Sequence, residues 1–210
     1  MVLPKEKQEQ IFLAAAREFA AKGYDKASTN AIVKEAGIGK GMLFYYFGSK
    51  LELYNDLLKQ LWAQMETLIH EMEIPKGMGI IETFQHLTRI KMKSVIEKPV
   101  WFDLVTRLYL HPEDLAVSPE AQQTFAQSAK IREARMQETF SKADMSRLRK
   151  DIPQERIMQH ISFVMEGFSQ HVTNTIKQTG TDYYDSKDNP FWDEYELFTE
   201  DLKTMLYEKE

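Results

Sequence analysis

Apolar residues recur at the spacing of an α-helix along most of the chain. In the first segment Ile11, Ala15 and Phe19 form one stripe, the opposite side is charged, and Gly23 is a stop signal. No run combines alternating apolar and polar positions with the Val, Ile and Thr content of a β-strand. The pattern therefore predicts an all-α fold.

Capping and helix-breaking residues divide this pattern into about nine helices. Ser28 or Thr29 can cap the second helix, and glycines such as Gly37 and Gly180 mark helix ends. The predicted helices cover residues 5–22, 29–36, 40–46, 50–72, 80–97, 101–110, 119–143, 153–179 and 190–206.

The first three helices form a candidate helix-turn-helix domain. Gly37-Ile38-Gly39 makes a tight turn between the second and third helices, which are both too short to be stable alone. Ser49 and Glu52 have the spacing of a capping box, which begins the long fourth helix. We therefore predict a helix-turn-helix domain over residues 1–50 and a larger helical bundle over residues 51–210.

The charge of the chain is divided unevenly between these two parts. Residues 1–50 have a net charge of +3 and residues 51–210 have a net charge of −8. A basic segment on an acidic body suits contact with a polyanion through that segment alone. The chain has no cysteine, no apolar run of membrane-spanning length and no secretory signal. We expect a cytoplasmic protein that does not contact a membrane.

The short helix after the turn can enter a DNA major groove. Gly41 permits close approach and Lys40, near the helix start, can reach bases, while Leu43 and Phe47 are four residues apart and face inward. The stretch from Ser28 to Lys50 resembles the N-terminal pattern of the TetR family of transcriptional regulators. The resemblance spans residues 9–54 and is carried by Ile11, Ala14, Ala15, Phe19, Gly23, Tyr24, Thr29, Ile32, Ala36, Gly37, Gly41, Leu43, Tyr46, Phe47 and Lys50.

The chain departs from the family pattern at three positions. Phe44 replaces a common tyrosine and lacks its hydroxyl, Gly39 replaces a serine that could cap the helix, and Val33 replaces an alanine. These changes affect individual contacts and packing, and they leave the expectation of DNA binding in place.

The resemblance implies a set of DNA contacts. It places Ser28 and Thr29 at the DNA, Lys40, Gly41 and Phe44 toward bases, and Tyr45, Tyr46 and Lys50 toward phosphates. Surface exposure or packing without DNA contact is the alternative for each.

The resemblance also implies a homodimer that binds a palindromic double-stranded operator and is released from it by a small-molecule effector. The predicted effector pocket comprises Phe84, His86, Arg89, Trp101, Phe102, Arg107, Tyr109, Phe125, Phe163, Phe168 and His171. The predicted dimer interface comprises Ile157, Ile161, Val164, Phe168, Val172, Trp192, Tyr195, Phe198 and Leu202. Ordinary core packing is the alternative for the aromatic pocket residues, and an arginine inside the cavity would favour an acidic effector.

Other classes of function lack their characteristic motifs. Gly37–Gly41 lacks the spacing of a phosphate loop, and no His-Glu-x-x-His or Glu-x-x-His element is present, so we expect no cofactor, no metal site and no catalysis. The remaining alternative is a helical ligand-binding or scaffold protein with a vestigial helix-turn-helix. Salt-dependent, sequence-selective DNA binding would distinguish the regulator from it.

Overall fold

The structure is a computed structural model that describes residues 4–71, 73–179 and 190–208. These residues form ten α-helices and no β-strand, so the predicted all-α class is confirmed. The helices are α1 (Lys5–Lys26), α2 (Thr29–Glu35), α3 (Lys40–Phe47), α4 (Lys50–Glu71), α5 (Ile80–Glu97), α6 (Pro99–Leu110), α7 (Glu113–Ala116), α8 (Pro119–Ser141), α9 (Gln154–Thr179) and α10 (Pro190–Leu206).

The helix boundaries differ from prediction in two informative places. Helix α1 continues to Lys26, although Gly23 has non-helical dihedral angles (φ 73°, ψ 172°) that interrupt it. The one-turn helix α7 follows His111 and Pro112, where the sequence predicts only a helix end. The predicted end at Gly180 and the predicted end at Met72 lie outside the described residues.

The predicted cap of α4 is present, and α8 has a similar one. The backbone N–H of Glu52 donates to the Ser49 Oγ at 3.1 Å, which begins α4. Ser118 caps α8 in the same way, accepting from the N–H of Ala121 at 3.2 Å. Proline starts α6 at Pro99, two residues before the predicted start, because the first helical position does not need an N–H donor.

The chain divides into two compact units. The first unit comprises Met1–Met72 and Glu97–Gln137, and the second comprises Glu73–Ile96 and Glu138–Glu210. The functional boundary after residue 50 stays a prediction, because a division by packing does not test it.

The core of the first unit joins the three N-terminal helices to the start of α4 and to α6. Its most deeply buried large side chains include Ile11, Phe12, Phe19, Ile32, Leu43, Leu53, Tyr54, Leu57, Leu58, Leu61 and Trp62. The helix that contains Lys40 is therefore packed on the same core as α4. Within the described residues, no helix is long and apolar enough to cross a membrane.

A polar clasp on Asp114 joins α1 to α6 and α7 within the first unit. Arg107 Nε donates to Asp114 Oδ2 at 2.7 Å, and the backbone N–H of Tyr24 donates to Asp114 Oδ1 at 3.0 Å. The Tyr54 hydroxyl donates to the Asp114 carbonyl at 3.1 Å. Gly23 lies directly against this clasp, because a Cβ there would overlap the Arg107 guanidinium.

The second unit has its own core, which α5, α9 and α10 share. Ile80, Ile157, Ile161 and Leu202 are at most 2% exposed there. Tyr207 closes one end of this core: its hydroxyl donates to Glu82 and accepts from the backbone N–H of Ile81 at 3.2 Å.

Candidate nucleic-acid interface

Local sequence fixes the geometry of α2, the turn and α3. The Ser28 hydroxyl accepts from the N–H of Ala31 at 3.4 Å and caps α2. Gly37 then takes a positive φ of 61°, which lets the N–H of Ile38 donate to the Val33 carbonyl at 3.0 Å. Gly39 is the N-cap residue of α3 and provides no side-chain cap, as expected from the loss of serine there.

The inner face of α3 is held by two apolar residues. Leu43 is 1% exposed and Phe47 is 6% exposed, which confirms that both face inward. The Phe47 ring also packs against Phe12 on α1, with 5.6 Å between the ring centroids. These contacts fix the rotation of α3 about its axis and so decide which of its residues point outward.

The outer face of α3 exposes Lys40, Gly41, Met42 and Tyr45. Tyr45 is 69% exposed and Met42 is 42% exposed, whereas Phe44 and Tyr46 are half-buried. The Lys40 ammonium lies 5.9 Å from the centroid of the Phe44 ring. Met42 is the residue that sequence reasoning missed, although its position opposite the Leu43 and Phe47 stripe was a signal for it.

Lys50 has partners inside the chain. Its ammonium donates to the Asp25 carbonyl at 3.2 Å and lies 4.7 Å from the centroid of the Tyr24 ring. Burial lowers the pKa of Lys50, while the charges of Asp25 and Glu18 raise it less. The predicted phosphate contact of Lys50 stays a prediction, and in this conformation Lys50 ties the start of α4 to the end of α1.

Ser28 and Thr29 lie at the start of α2, as predicted, and both are half-buried. The backbone N–H of Ser28 donates to Glu18 Oε1 at 2.8 Å, and Lys22 donates to the same oxygen at 2.9 Å. Burial alone would raise the pKa of Glu18, but these hydrogen bonds outweigh it and the pKa is lowered. The DNA contacts of Ser28 and Thr29 remain predictions.

The residues predicted for the effector pocket lie in both units. In the first unit, Phe125 packs against Tyr109 at 5.6 Å and against Trp62 at 5.2 Å, and Trp101 and Phe102 are half-buried on α6. Arg107, by contrast, forms an ion pair with Asp114 in the clasp. It therefore has a carboxylate partner of its own, and its presence is no argument for an acidic effector.

In the second unit, the predicted polar residues also have partners. His86 Nε2 lies 3.0 Å from the Glu73 carbonyl, Arg89 pairs with Glu196 at 3.1 Å, and His171 pairs with Glu194 at 3.1 Å. Among the apolar residues, Phe84 packs against Phe140 at 4.4 Å and Phe168 stacks on Phe198 at 4.5 Å. Phe163 is 69% exposed. The pocket assignment stays a prediction.

The residues predicted for the dimer interface divide by burial. Four of these residues are at most 2% exposed because side chains of the same chain cover them. They are Ile157, Ile161, Tyr195 and Leu202. Val172, Trp192 and Phe198 are half-buried, and Val164 is 38% exposed. A second copy could therefore reach Val164, and Phe163 beside it, without any rearrangement of this core.

Comparisons with known proteins find relatives that regulate transcription. The profile of the family described as bacterial regulatory proteins, tetR family, matches residues 11–57. The chain is 26% identical to the HTH-type transcriptional repressor AcnR of Corynebacterium efficiens, over 84% of this chain and 87% of that protein. It is 39% identical to the transcriptional activator FasR of Mycolicibacterium smegmatis over 28% of this chain and 27% of that protein.

The fold is similar over nearly the full length to that of the ketosteroid transcriptional regulator KstR2 of Mycobacterium tuberculosis. The TM-score is 0.63 at 15% sequence identity, and the likeness covers 99% of this chain and 98% of that one. The matched relatives are regulators, so an enzyme or a scaffold with a vestigial helix-turn-helix is not favoured. Residues 11–57 of the chain therefore match the DNA-binding domain of the TetR family of transcriptional regulators, and the protein is a ligand-responsive DNA-binding regulator.

Proposed function

We propose that the protein is a cytoplasmic, homodimeric repressor that binds a palindromic operator through α3 and leaves it when a small-molecule effector binds. The outer face of α3 is the observation that carries the proposal. It combines an exposed cation at Lys40 with the exposed side chains of Met42 and Tyr45, on a helix rigidly held by Leu43 and Phe47.

The proposed dimer rests on α9. Phe163 is 69% exposed and Val164 is 38% exposed, and at Gly167 a Cβ would meet no described heavy atom within 4 Å. An exposed apolar strip beside a glycine permits close approach of the same strip on a second copy. Two-fold symmetry then gives two copies of α3, which fit half-sites about 34–36 Å apart.

Repression is the mode that the AcnR relatives support, since their names describe repressors. Effector control follows from linkage: an effector that binds the DNA-free state better must weaken DNA binding by the same factor as DNA weakens effector binding. The predicted pocket residues on α5, α6, α8 and α9 are where substitutions would change effector affinity.

The test is selection of binding sites from random duplex DNA by the full-length protein. Lys40→Ala and Tyr46→Phe each remove a predicted polar contact, and Tyr46→Phe keeps the half-buried ring. Lys142→Ala removes an exposed lysine that pairs with Glu138 outside the first unit and is the matched control. We expect the unmodified protein to enrich a palindromic sequence. Both test variants should enrich it less, and the control should enrich it as strongly as the unmodified protein. The absence of any enriched sequence would refute the proposal.

A further inference from the structure

The outer face of α3 has few chemical groups that can read a base. Met42 and Tyr45 point away from the buried stripe, and a Cβ at Gly41 would meet no described heavy atom within 4 Å. The helix has eight residues and is about 12 Å long, which spans three or four base pairs in a groove. Each half-site is therefore read by only a few side chains of α3.

The composition of α3 restricts what those side chains can recognise. The sequence Lys-Gly-Met-Leu-Phe-Tyr-Tyr-Phe contains no Arg, Asn, Gln, Asp or Glu. The bidentate contacts of arginine to guanine and of asparagine or glutamine to adenine are thus absent, as is a carboxylate acceptor for the cytosine amino group. Lys40 is the one charged residue, and its ammonium can donate to guanine O6 and N7.

The remaining outward surface is apolar apart from the Tyr45 hydroxyl. The Met42 thioether and methyl group and the edge of the Tyr45 ring present no donor that would select adenine or guanine. The apolar feature of a base pair in the major groove is the C5-methyl group of thymine. Gly41, next to Met42 and one turn before Tyr45, has no side chain and allows the backbone to come close enough for such a contact.

From this surface we infer that α3 selects its half-site chiefly by thymine methyl groups. Met42 and Tyr45 contact those methyl groups, and Lys40 contacts one guanine at the edge of the same three or four base pairs. The inference rests on the proposed function, since it assumes that α3 enters the major groove of an operator. It names Met42 as a specificity-determining residue and gives Tyr45 a base contact in place of the predicted phosphate contact.

The experiment uses the operator obtained from site selection. Single thymidines in it are replaced by deoxyuridine, which removes the C5-methyl group of the base and keeps every hydrogen-bonding group. Burial of one methyl group corresponds to about fourfold in affinity. We expect the wild-type protein to bind about fourfold more weakly at one or two thymine positions in each half-site. Met42→Ala should abolish this loss at one of those positions.

Met205→Ala is the matched control, because Met205 is 52% exposed and lies on α10 in the second unit. It should retain the full response to deoxyuridine. If an operator is selected but uracil substitution has no effect, or the same effect in Met42→Ala as in wild type, the inference is wrong and the proposed function stands. If no operator is selected at all, the proposed function fails.

Discussion

Replacement of Gly23 by alanine tests whether the clasp on Asp114 fixes the end of α1. Gly23 has φ 73° and ψ 172°, a region that is essentially restricted to glycine and costs other residues about 1–3 kcal/mol. The new Cβ would also lie 2.8 Å from Asp114 Oδ1 and would overlap the Arg107 guanidinium. Displacing this hydrogen-bonded pair, with side chains 21% and 10% exposed, adds about 1–3 kcal/mol.

The unfolded state offsets part of this loss, because alanine has less backbone freedom than glycine by about 0.4–1 kcal/mol. We therefore expect Gly23→Ala to lower the free energy of unfolding by about 3 kcal/mol. Gly37→Ala is the matched control: its φ is also positive, at 61°, but a Cβ there would meet no described heavy atom within 4 Å. Its expected loss is about 1 kcal/mol.

The assay is urea unfolding followed by tryptophan fluorescence in a Trp192→Phe background, which leaves Trp62 and Trp101 as the two tryptophans, both in the first unit. Equal losses for Gly23→Ala and Gly37→Ala would refute the steric argument. An Arg107→Ala background supplies a second check, because the overlap with the guanidinium is removed there and only the dihedral strain and the close contact with Asp114 Oδ1 should remain at position 23.

Three further predictions concern single side chains. Tyr207→Phe leaves the N–H of Ile81 without its hydroxyl acceptor and should lower the free energy of unfolding by about 1–3 kcal/mol, measured in urea. Because the pKa of Glu18 is lowered on folding, its carboxylate stabilises the fold fully above the ordinary glutamate pKa of 4.5, and this stabilisation is lost as the pH falls through the lowered pKa. Glu18→Gln should thus be less stable than wild type at pH 7, with thermal melts that converge in acid. Because Lys40 is assigned to a guanine, Lys40→Ala should weaken operator binding and leave the dependence of log affinity on log salt unchanged, whereas a slope reduced by about one would indicate a phosphate contact instead.

The helical architecture was largely predictable because it depends on local signals. Periodicity and breakers predict α5 at Ile80–Glu97 with its observed bounds, and the Ser49 cap marks the start of α4. The one-turn helix α7 was missed because Glu113–Ala116 is too short for periodicity to appear. The continuation of α1 past Gly23 was missed because glycine marks a change of dihedral angles and does not fix where helical hydrogen bonding resumes.

Charged residues near a motif were harder to interpret, since the sequence shows a charge without its partner. Lys50 and Arg107 are assigned to phosphate and effector from the sequence, but their partners Asp25 and Asp114 belong to other segments brought together by the fold. The same holds for Arg89, whose partner Glu196 is 107 residues away. A ligand that contacts such residues must either share the charged group with an existing partner or displace that partner.

Apolar residues present the opposite problem, because the sequence pattern assigns them to a core by default. Leu43 and Met42 are neighbours of similar hydrophobicity, yet one is 1% exposed and the other 42% exposed. The four-residue spacing of Leu43 and Phe47 places both on one inward face, and their packing leaves Met42 facing outward. The exposed part of Met42 gains no stability from burial in the fold, so this apolar surface is available to a binding partner. The thymine methyl group is the partner that matches this surface in a major groove.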